Sequence, residues 1–461
     1  MSDRSFDVIV IGAGPAGEVA AGRLAGGGLE VAIVERELVG GECSFWACMP
    51  SKALLRPGQA LAEARRVPGA AQAATGALDV PAALARRDEV IHGLDDASQL
   101  PWLRERGITL VRGVGRLSGE RRVAVGDEVL EARRAVIVAV GTRAAVPPVP
   151  GLAEAEPWTN REITTSHEIP GRLIVLGAGP VGCEMAQAYR SLGAAVTLVE
   201  AAPRLLMREE PFACEQLSAQ MQADGISVRM ETRAERVQRP EPGGAVTVAL
   251  GDGSTVEADE LLCALGRRQV TGELGLETIG LEGGEAIEVG DDLRVEGHDW
   301  LYVVGDANGR VLLTHMGKYQ ARIAADGILG TRRELRSDGA RSPRVTFTEP
   351  AVAAVGLTLA GARDEGLDVL AVDAGTSANA GGSFYGRGVD GTTRLVVERG
   401  SGRVVGATFV GAEIADFLHA ATIAVAAELT MDQLWHAVPA FPTRSEVWLN
   451  LVEAWEREVA G

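Results

Sequence analysis

Cys43 and Cys48 stand five positions apart in GGECSFWACMPSK, residues 40 to 52. Five cysteines in 461 residues do not make a secreted disulfide framework, so in a reducing compartment this close pair points to redox catalysis. A Cys-x4-Cys pair that begins a helix can close a disulfide, and the helix N-terminus favours thiolate once the bond is reduced. Two buried structural thiols are the other reading of the same spacing. Cys183, Cys214 and Cys263 have no such neighbour and read as small packing residues.

The second feature with chemistry in it is a repeated glycine pattern. Residues 6 to 35 align without gaps on residues 171 to 200, and twelve of the thirty positions are identical. Each copy has an apolar run, then Gly-x-Gly-x-x-Gly, a helical stretch, a second apolar run and a terminal Glu. The glycines are Gly12, Gly14 and Gly17, with Pro15 and Ala16 between them, and Gly177, Gly179 and Gly182, with Pro180 and Val181. This is a dinucleotide fingerprint: the first glycine makes the tight turn, the second admits the pyrophosphate, and the third lets helix pack on strand. Glu35 and Glu200 end the second strands, where a carboxylate can accept from ribose hydroxyls.

Elements that must hold these residues follow along the chain. Residues 52 to 100 read as helices broken near Pro57, Pro68 and Pro81, and residues 108 to 141 as short strands ending in AVIVAVGT. Pro147, Pro148, Pro150 and Gly151 make a stiff crossover to the second nucleotide unit, which closes near LLCALGR. LYVVGD (301 to 306) is a further buried strand, followed by a helical stretch to about 330 and a polar linker. Strand patterns in VTFTEPAVAAVGLT, TRLVVERG and RVVGATFVG then precede C-terminal helices.

Composition sets the outer bounds. At roughly 150 residues per domain the length implies about three domains, and 46% apolar with 23% charged residues is globular throughout. A net charge of -18 opposes phosphate-driven nucleic-acid binding. No stretch approaches the ~20 apolar residues of a membrane span and the N-terminus does not read as a signal peptide, so the expectation is a cytoplasmic protein with no membrane partner.

Together these features resemble the group I pyridine nucleotide disulfide oxidoreductases, the family of dihydrolipoamide dehydrogenase, glutathione reductase and mercuric reductase. The resemblance covers essentially the whole chain. It implies an α/β protein with two doubly wound nucleotide domains and an α+β C-terminal dimerisation domain. The implied boundaries are an FAD domain at 1–150, an NAD(P) domain at 151–268, the rest of the FAD domain at 269–343 and the interface domain at 344–461.

Residue by residue, the resemblance assigns FAD to Gly12, Gly14, Pro15, Ala16, Gly17, Glu35, Arg36, Gly41, Glu42, Cys43, Lys52, Gly141, Gly305, Asp306 and His315. Asp306 of VVGD matches the contact to the ribityl hydroxyls, and Gly141 lies in the AVGTR exit motif. Gly177, Gly179, Pro180, Val181, Gly182, Glu200 and Gly266 carry over to the nicotinamide nucleotide. NADH is expected over NADPH, because Glu200 repels a 2'-phosphate and no basic residue follows until Arg204. Cys48 is then the thiolate nearest the flavin and Cys43 the interchange thiol that attacks substrate. Lys52 and Glu184 match a family pair beside the flavin ring. No metal site is implied.

One segment departs from the family. Disulfide-reducing members read like HAHPTLSE near the C-terminus, whereas this chain reads VPAFPTRSE: Pro439 and Phe441 stand where the histidines would, with Glu446 retained. The missing imidazole is the family's acid/base, and such a group is worth roughly 10²- to 10⁴-fold in rate. His436 reads as a partly buried helix histidine, and His315 as a flavin contact more than a proton shuttle. Phe45 and Trp46 either shape a flatter acceptor site or fill the cavity over the flavin.

The functional expectation is a homodimeric flavoprotein that moves hydride from NADH to FAD and on to Cys43/Cys48, reducing a small disulfide or related electron acceptor. A diaphorase acting on quinones, metal ions or oxygen is the alternative. From another class comes a flavin- and NADH-binding redox sensor without turnover.

Overall fold

The computed structural model describes residues 4–388 and 390–460. The chain divides into two compact units. The first holds residues up to Pro50 with Arg87–Ala145 and Arg267–Gly339, and the second holds Ser51–Arg86, Val146–Gly266 and Ala340 onward. Five helices matter below: α1 (Pro15–Gly26), α2 (Gly41–Phe45), α3 (Cys48–Arg66), α4 (Pro180–Ser191) and α5 (Thr314–Ile328).

The first unit is built on a parallel sheet in the order His298–Val303, Glu128–Val138, Arg4–Ile11, Val31–Glu35, Thr109–Arg112. Strands covered on both faces read as unbroken apolar runs rather than as alternation. VIVI (8 to 11) and AVIV (135 to 138) are such runs, and every residue in both is buried. α1 and α5 pack on one face with Ala20, Leu24, Ala321 and Ala324. Leu117, Val123, Leu130 and Trp300 fill the other.

In the second unit, Ser227–Arg229, Ala195–Val199, Arg172–Leu176 and Glu260–Cys263 form a four-stranded parallel sheet. A three-stranded antiparallel sheet adjoins it in sequence, Ala234–Gln238, Val246–Leu250 and Thr255–Ala258. Residues 344 to 411 make a five-stranded antiparallel sheet in the order Arg344–Thr346, Ala351–Gly356, Val404–Gly411, Thr392–Glu398, Val369–Gly375. The last of these, VLAVDAG, carries no strand signal strong enough to be expected, and its place at the sheet edge explains its mixed burial. The fold class is the one the sequence implies, α/β with two nucleotide-type parallel sheets and an α+β C-terminal region.

Two local expectations fail. Pro57 does not break the chain: α3 runs through it. Leu54 and Leu55 are buried, and a Cβ on Gly58 would lie 2.8 Å from Ser191 Oγ, so tight packing of α3 on α4 outweighs the hydrogen bond that proline removes. The cysteines, likewise, do not share one helix. Trp46 takes φ -136° and closes α2, and Cys48 opens α3.

Candidate active site

The two glycine turns are near copies in three dimensions. Gly12 and Gly177 have φ of +103° and +98°, the left-handed region that glycine occupies cheaply. A Cβ on Gly17 would lie 1.9 Å from the Gly12 carbonyl oxygen, and one on Gly182 would lie 1.9 Å from that of Gly177. The helix therefore seats directly on the turn. The Ala13 N–H donates to Glu35 Oε2 (2.7 Å) and the Glu37 N–H to Oε1 (2.8 Å). The Ala178 and Ala202 N–H groups donate to Glu200 Oε2 (2.7 Å) and Oε1 (2.8 Å) in the same way. Each carboxylate is thus fixed at the end of its strand with lone pairs left for a ribose.

Gly14 and Gly179 behave differently from the other fingerprint glycines. Each is the N-cap of its helix with no side-chain cap, and a Cβ on either would meet nothing within 4 Å. These are cradles that an alanine methyl would fill, at helix N-termini whose free N–H groups favour phosphate. The residues present therefore fit a dinucleotide in each unit. Gly14→Ala is expected to leave the unfolding midpoint of the apoprotein within a degree or two. Its bound-flavin absorbance should fall at least tenfold, because the methyl takes the pyrophosphate's place. Retention of full flavin content by Gly14→Ala would contradict this fit.

Further contacts of the first unit gather on Asp306. It is mostly buried, Thr142 Oγ1 donates to its Oδ2 at 2.6 Å, and burial raises its pKa, partly offset by that bond and by Arg267. Arg267 Nε in turn donates to Thr142 Oγ1 (2.7 Å), and its Nη2 lies 3.5 Å from Glu42 Oε2. A buried carboxylate of this kind suits sugar hydroxyls as donors. Gly141 and Gly305 hold positive φ beside these residues, and Gly266 does so in the second unit. Arg36 is exposed, 3.9 Å from Glu37, and His315 is exposed near the start of α5. Thr142 and Arg267 escaped the sequence reading, although Thr142 lies within the AVGTR motif and Arg267 closes LLCALGR.

Cys43 and Cys48 are thiols, partly buried and hydrogen-bonded to one another. Cys48 Sγ lies 3.3 Å from Thr314 Oγ1. The bond to Cys48, then burial, push the Cys43 thiol well up, while Thr314 and Lys318 act downward. This is a dithiol at the start of two helices. Cys183, Cys214 and Cys263 are buried in the second unit, and burial raises each, Cys214 to about 11. They pack as expected, and their burial disfavours the thiolate that a nucleophile needs. Phe45 is buried and its ring sits 5.8 Å from that of Trp46, so at least Phe45 serves as core.

Within the second unit Lys52 Nζ donates to Glu184 Oε2 (2.7 Å), and the Phe347 N–H donates to Glu184 Oε1 (2.9 Å). Lys52 also lies 4.6 Å from the centre of the Phe347 ring. Arg204 is turned back, with Nη2 donating to the Met207 carbonyl (3.2 Å). At the C-terminus Phe441 is 76% exposed, and Glu446 Oε2 is buried with no hydrogen-bond partner. His436 is exposed as the C-cap of a short helix at Met431–Trp435, not partly buried as its apolar neighbours suggested. Among the described residues no cluster of three His, Cys, Asp or Glu could hold a metal ion, and no helix is long and apolar enough to cross a membrane.

Comparison with known proteins agrees with this geometry. Residues 6–321 match the family model of the pyridine nucleotide-disulphide oxidoreductases, and residues 342–452 match that family's dimerisation domain. Mercuric reductase of Streptomyces lividans is 33% identical over 450 residues, covering 94% of this chain and 93% of the relative. Dihydrolipoyl dehydrogenase of Rhizobium etli is 29% identical, covering 97% of each. Among solved structures, LpdA from Mycobacterium tuberculosis superposes with a TM-score of 0.86 at 25% identity, covering 98% of this chain and 99% of that one. The HOCl-induced flavoprotein disulfide reductase RclA from Escherichia coli shares the fold with a TM-score of 0.85 at 24% identity, covering 98% and 99%. Two nucleotide cradles, a close cysteine pair and a matched dimerisation domain in one chain lead to one assignment: it belongs to the pyridine nucleotide-disulphide oxidoreductases, NAD(P)H-dependent flavoproteins that use FAD.

Proposed function

We propose that this chain moves a hydride equivalent from NADH through FAD to the Cys43/Cys48 pair, which then reduces a small disulfide or related acceptor. The observation that carries this reading is the thiol pair itself, Cys43 hydrogen-bonded to Cys48 and Cys48 held 3.3 Å from Thr314. Bound FAD would supply a two-electron relay between nicotinamide and disulfide. In the first unit, Gly14 and α1 would hold its pyrophosphate, Glu35 a ribose and Asp306 the ribityl chain. In the second, Gly179, α4 and Glu200 would hold NADH. Cys48 is the thiolate nearest the flavin, Cys43 attacks the acceptor, and Lys52, held by Glu184, is the cation that favours reduced flavin.

Arg204 supports NADH over NADPH. Its guanidinium donates to the Met207 carbonyl, and the Glu200 carboxylate, fixed at its strand end, would repel a 2'-phosphate. A homodimer is supported by the apolar surface before Glu446, where Trp435, Val438 and Phe441 are 56%, 85% and 76% exposed. Such a cluster on a free surface is unusual and fits an interface.

The diaphorase reading has one observation in its favour. Phe441 replaces the imidazole that disulfide turnover uses, and quinones or metal ions need no placed proton donor. One assay separates the two readings: NADH oxidation with oxidised glutathione, lipoamide and menadione as acceptors. Turnover with a disulfide at a rate within about a hundredfold of menadione supports the first reading. Menadione turnover with no disulfide turnover supports the second. In the same assay kcat/KM for NADH should exceed that for NADPH at least tenfold, and equal values would overturn the cofactor preference.

A further inference from the structure

A disulfide that takes up two electrons and one proton becomes a thiol and a thiolate, and the groups around the two sulfurs decide which is which. Cys48 is the first residue of α3, a helix of 19 residues, and Thr314 is the first residue of α5. Their side chains meet, with Cys48 Sγ 3.3 Å from Thr314 Oγ1.

Packing within the first unit fixes this meeting. α5 comes close to α1 and to the Gly305 turn because Gly317 has no side chain: a Cβ there would lie 3.3 Å from both Ala16 Cβ and Gly305 Cα. Gln320, one turn later, is fully buried, and its Oε1 accepts from the Gly305 N–H (2.7 Å) and from Asn308 Nδ2 (2.9 Å). The start of α5 is thereby anchored, and Thr314 with it.

Inside a helix a threonine hydroxyl bonds a carbonyl three or four residues back. Thr314 opens its helix instead, and among the described residues its hydroxyl bonds only to the cysteine sulfurs. A thiolate has no proton to give, so toward Cys48 S⁻ the hydroxyl can only donate. The N-terminal end of α3 adds its unsatisfied N–H groups around the same sulfur. Cys43 competes poorly for the charge: its bond to Cys48, then burial, push its thiol well up.

We propose that the Thr314 hydroxyl is the donor that holds Cys48, rather than Cys43, as the thiolate of the reduced pair. The proposal deepens the disulfide-reductase reading above and rests on it. Oxidation of one NADH to NAD⁺ releases two electrons and one proton, and the Cys43–Cys48 bond takes up all three. Cys48 Sγ leaves as the thiolate and Cys43 Sγ takes the proton. Cys48 S⁻ then accepts from the Cys43 S–H and from the Thr314 O–H. A hydrogen bond made to the charged form favours ionisation, so removing the hydroxyl should make Cys48 harder to ionise.

The other titratable and charged groups on the elements around Cys48 are Glu42 and Cys43 on α2, Lys52 on α3, and His315 and Lys318 on α5. Glu42 Oε2 lies 3.5 Å from Arg267 Nη2, and Lys52 Nζ donates to Glu184 Oε2. Variants at position 314 keep all of them, so a shift reports the hydroxyl.

The test uses the flavin-loaded full chain with its cysteine pair reduced by dithiothreitol. The quantity measured is the pH midpoint of the long-wavelength absorbance that a thiolate gives against oxidised flavin. Thr314→Val, which keeps the branched shape and loses the hydroxyl, should raise the midpoint by roughly one pH unit. Thr314→Ser, which keeps the hydroxyl, should leave it near the wild-type value. Equal midpoints in wild type and Thr314→Val would overturn the proposal. So would an equal rise in both variants, which would trace the change to packing of the lost methyl. If the wild type gives no such absorbance at any pH, the reading that puts Cys48 nearest the flavin fails. Cys48 is then read by iodoacetamide alkylation and peptide mass mapping of the same reduced samples. Its alkylation midpoint should rise in Thr314→Val and not in Thr314→Ser, and equal midpoints there would overturn the role of Thr314 as well.

Discussion

Cys43→Ser is expected to lower the reduction of disulfide acceptors by on the order of 10⁴-fold or more, the scale on which removal of an attacking nucleophile acts. The serine hydroxyl is close in size but is not ionised near neutral pH, so no mixed disulfide forms. NADH oxidation with menadione should change by less than about threefold, because electrons can leave the flavin without the thiols. Cys48 would lose its partner and keep its contact to Thr314 Oγ1 at 3.3 Å. A Cys43→Ser protein that still reduces disulfides would show that the interchange role lies elsewhere. Loss of both activities together would point to a structural part for Cys43.

The second large effect is a gain. Phe441→His should raise disulfide turnover by roughly tenfold or more, toward the 10² to 10⁴ that a placed acid/base supplies. Two features favour it. Phe441 is 76% exposed, so the exchange removes little core packing, and Glu446 Oε2 is buried without a hydrogen-bond partner and so can accept from the ring N–H of a new imidazole. The gain is expected only in the homodimer proposed above, in which this segment would lie at the active site of the second subunit. The signature is a new limb in the pH–rate profile near the ordinary histidine pKa of about 6.5. Phe441→His with Glu446→Gln should lose most of the gain. An unchanged disulfide rate in the single variant would mean that the site does not accept a proton donor there.

What the sequence makes legible is what depends on local spacing. The glycine turns, Glu35 and Glu200, and the Cys43/Cys48 pair each sit within about thirty residues of their structural context, and their chemistry is carried by backbone approach or helix starts. Interactions that depend on distant segments were opaque. Thr314 touches Cys48 from 266 positions away, and Arg267 reaches Thr142 across 125. Pro57 shows the opposite failure: local propensity was clear, and packing of Leu54, Leu55 and Gly58 overrode it. Trp46 ends α2 between the cysteines through one residue's backbone conformation, which no periodicity reports.

The central claim is that electrons from NADH arrive at Cys43 and Cys48. It is tested most directly by counting thiols in the flavin-loaded protein, anaerobically, before and after one equivalent of NADH, with alkylation of the native protein followed by peptide mass mapping. Before NADH, the oxidised protein should show Cys43 and Cys48 joined in one peptide and neither alkylated. After NADH, both should be recovered alkylated, while Cys183, Cys214 and Cys263, all buried, stay unmodified in each sample. Bleaching of the flavin by NADH with the Cys43–Cys48 link still intact would contradict the account.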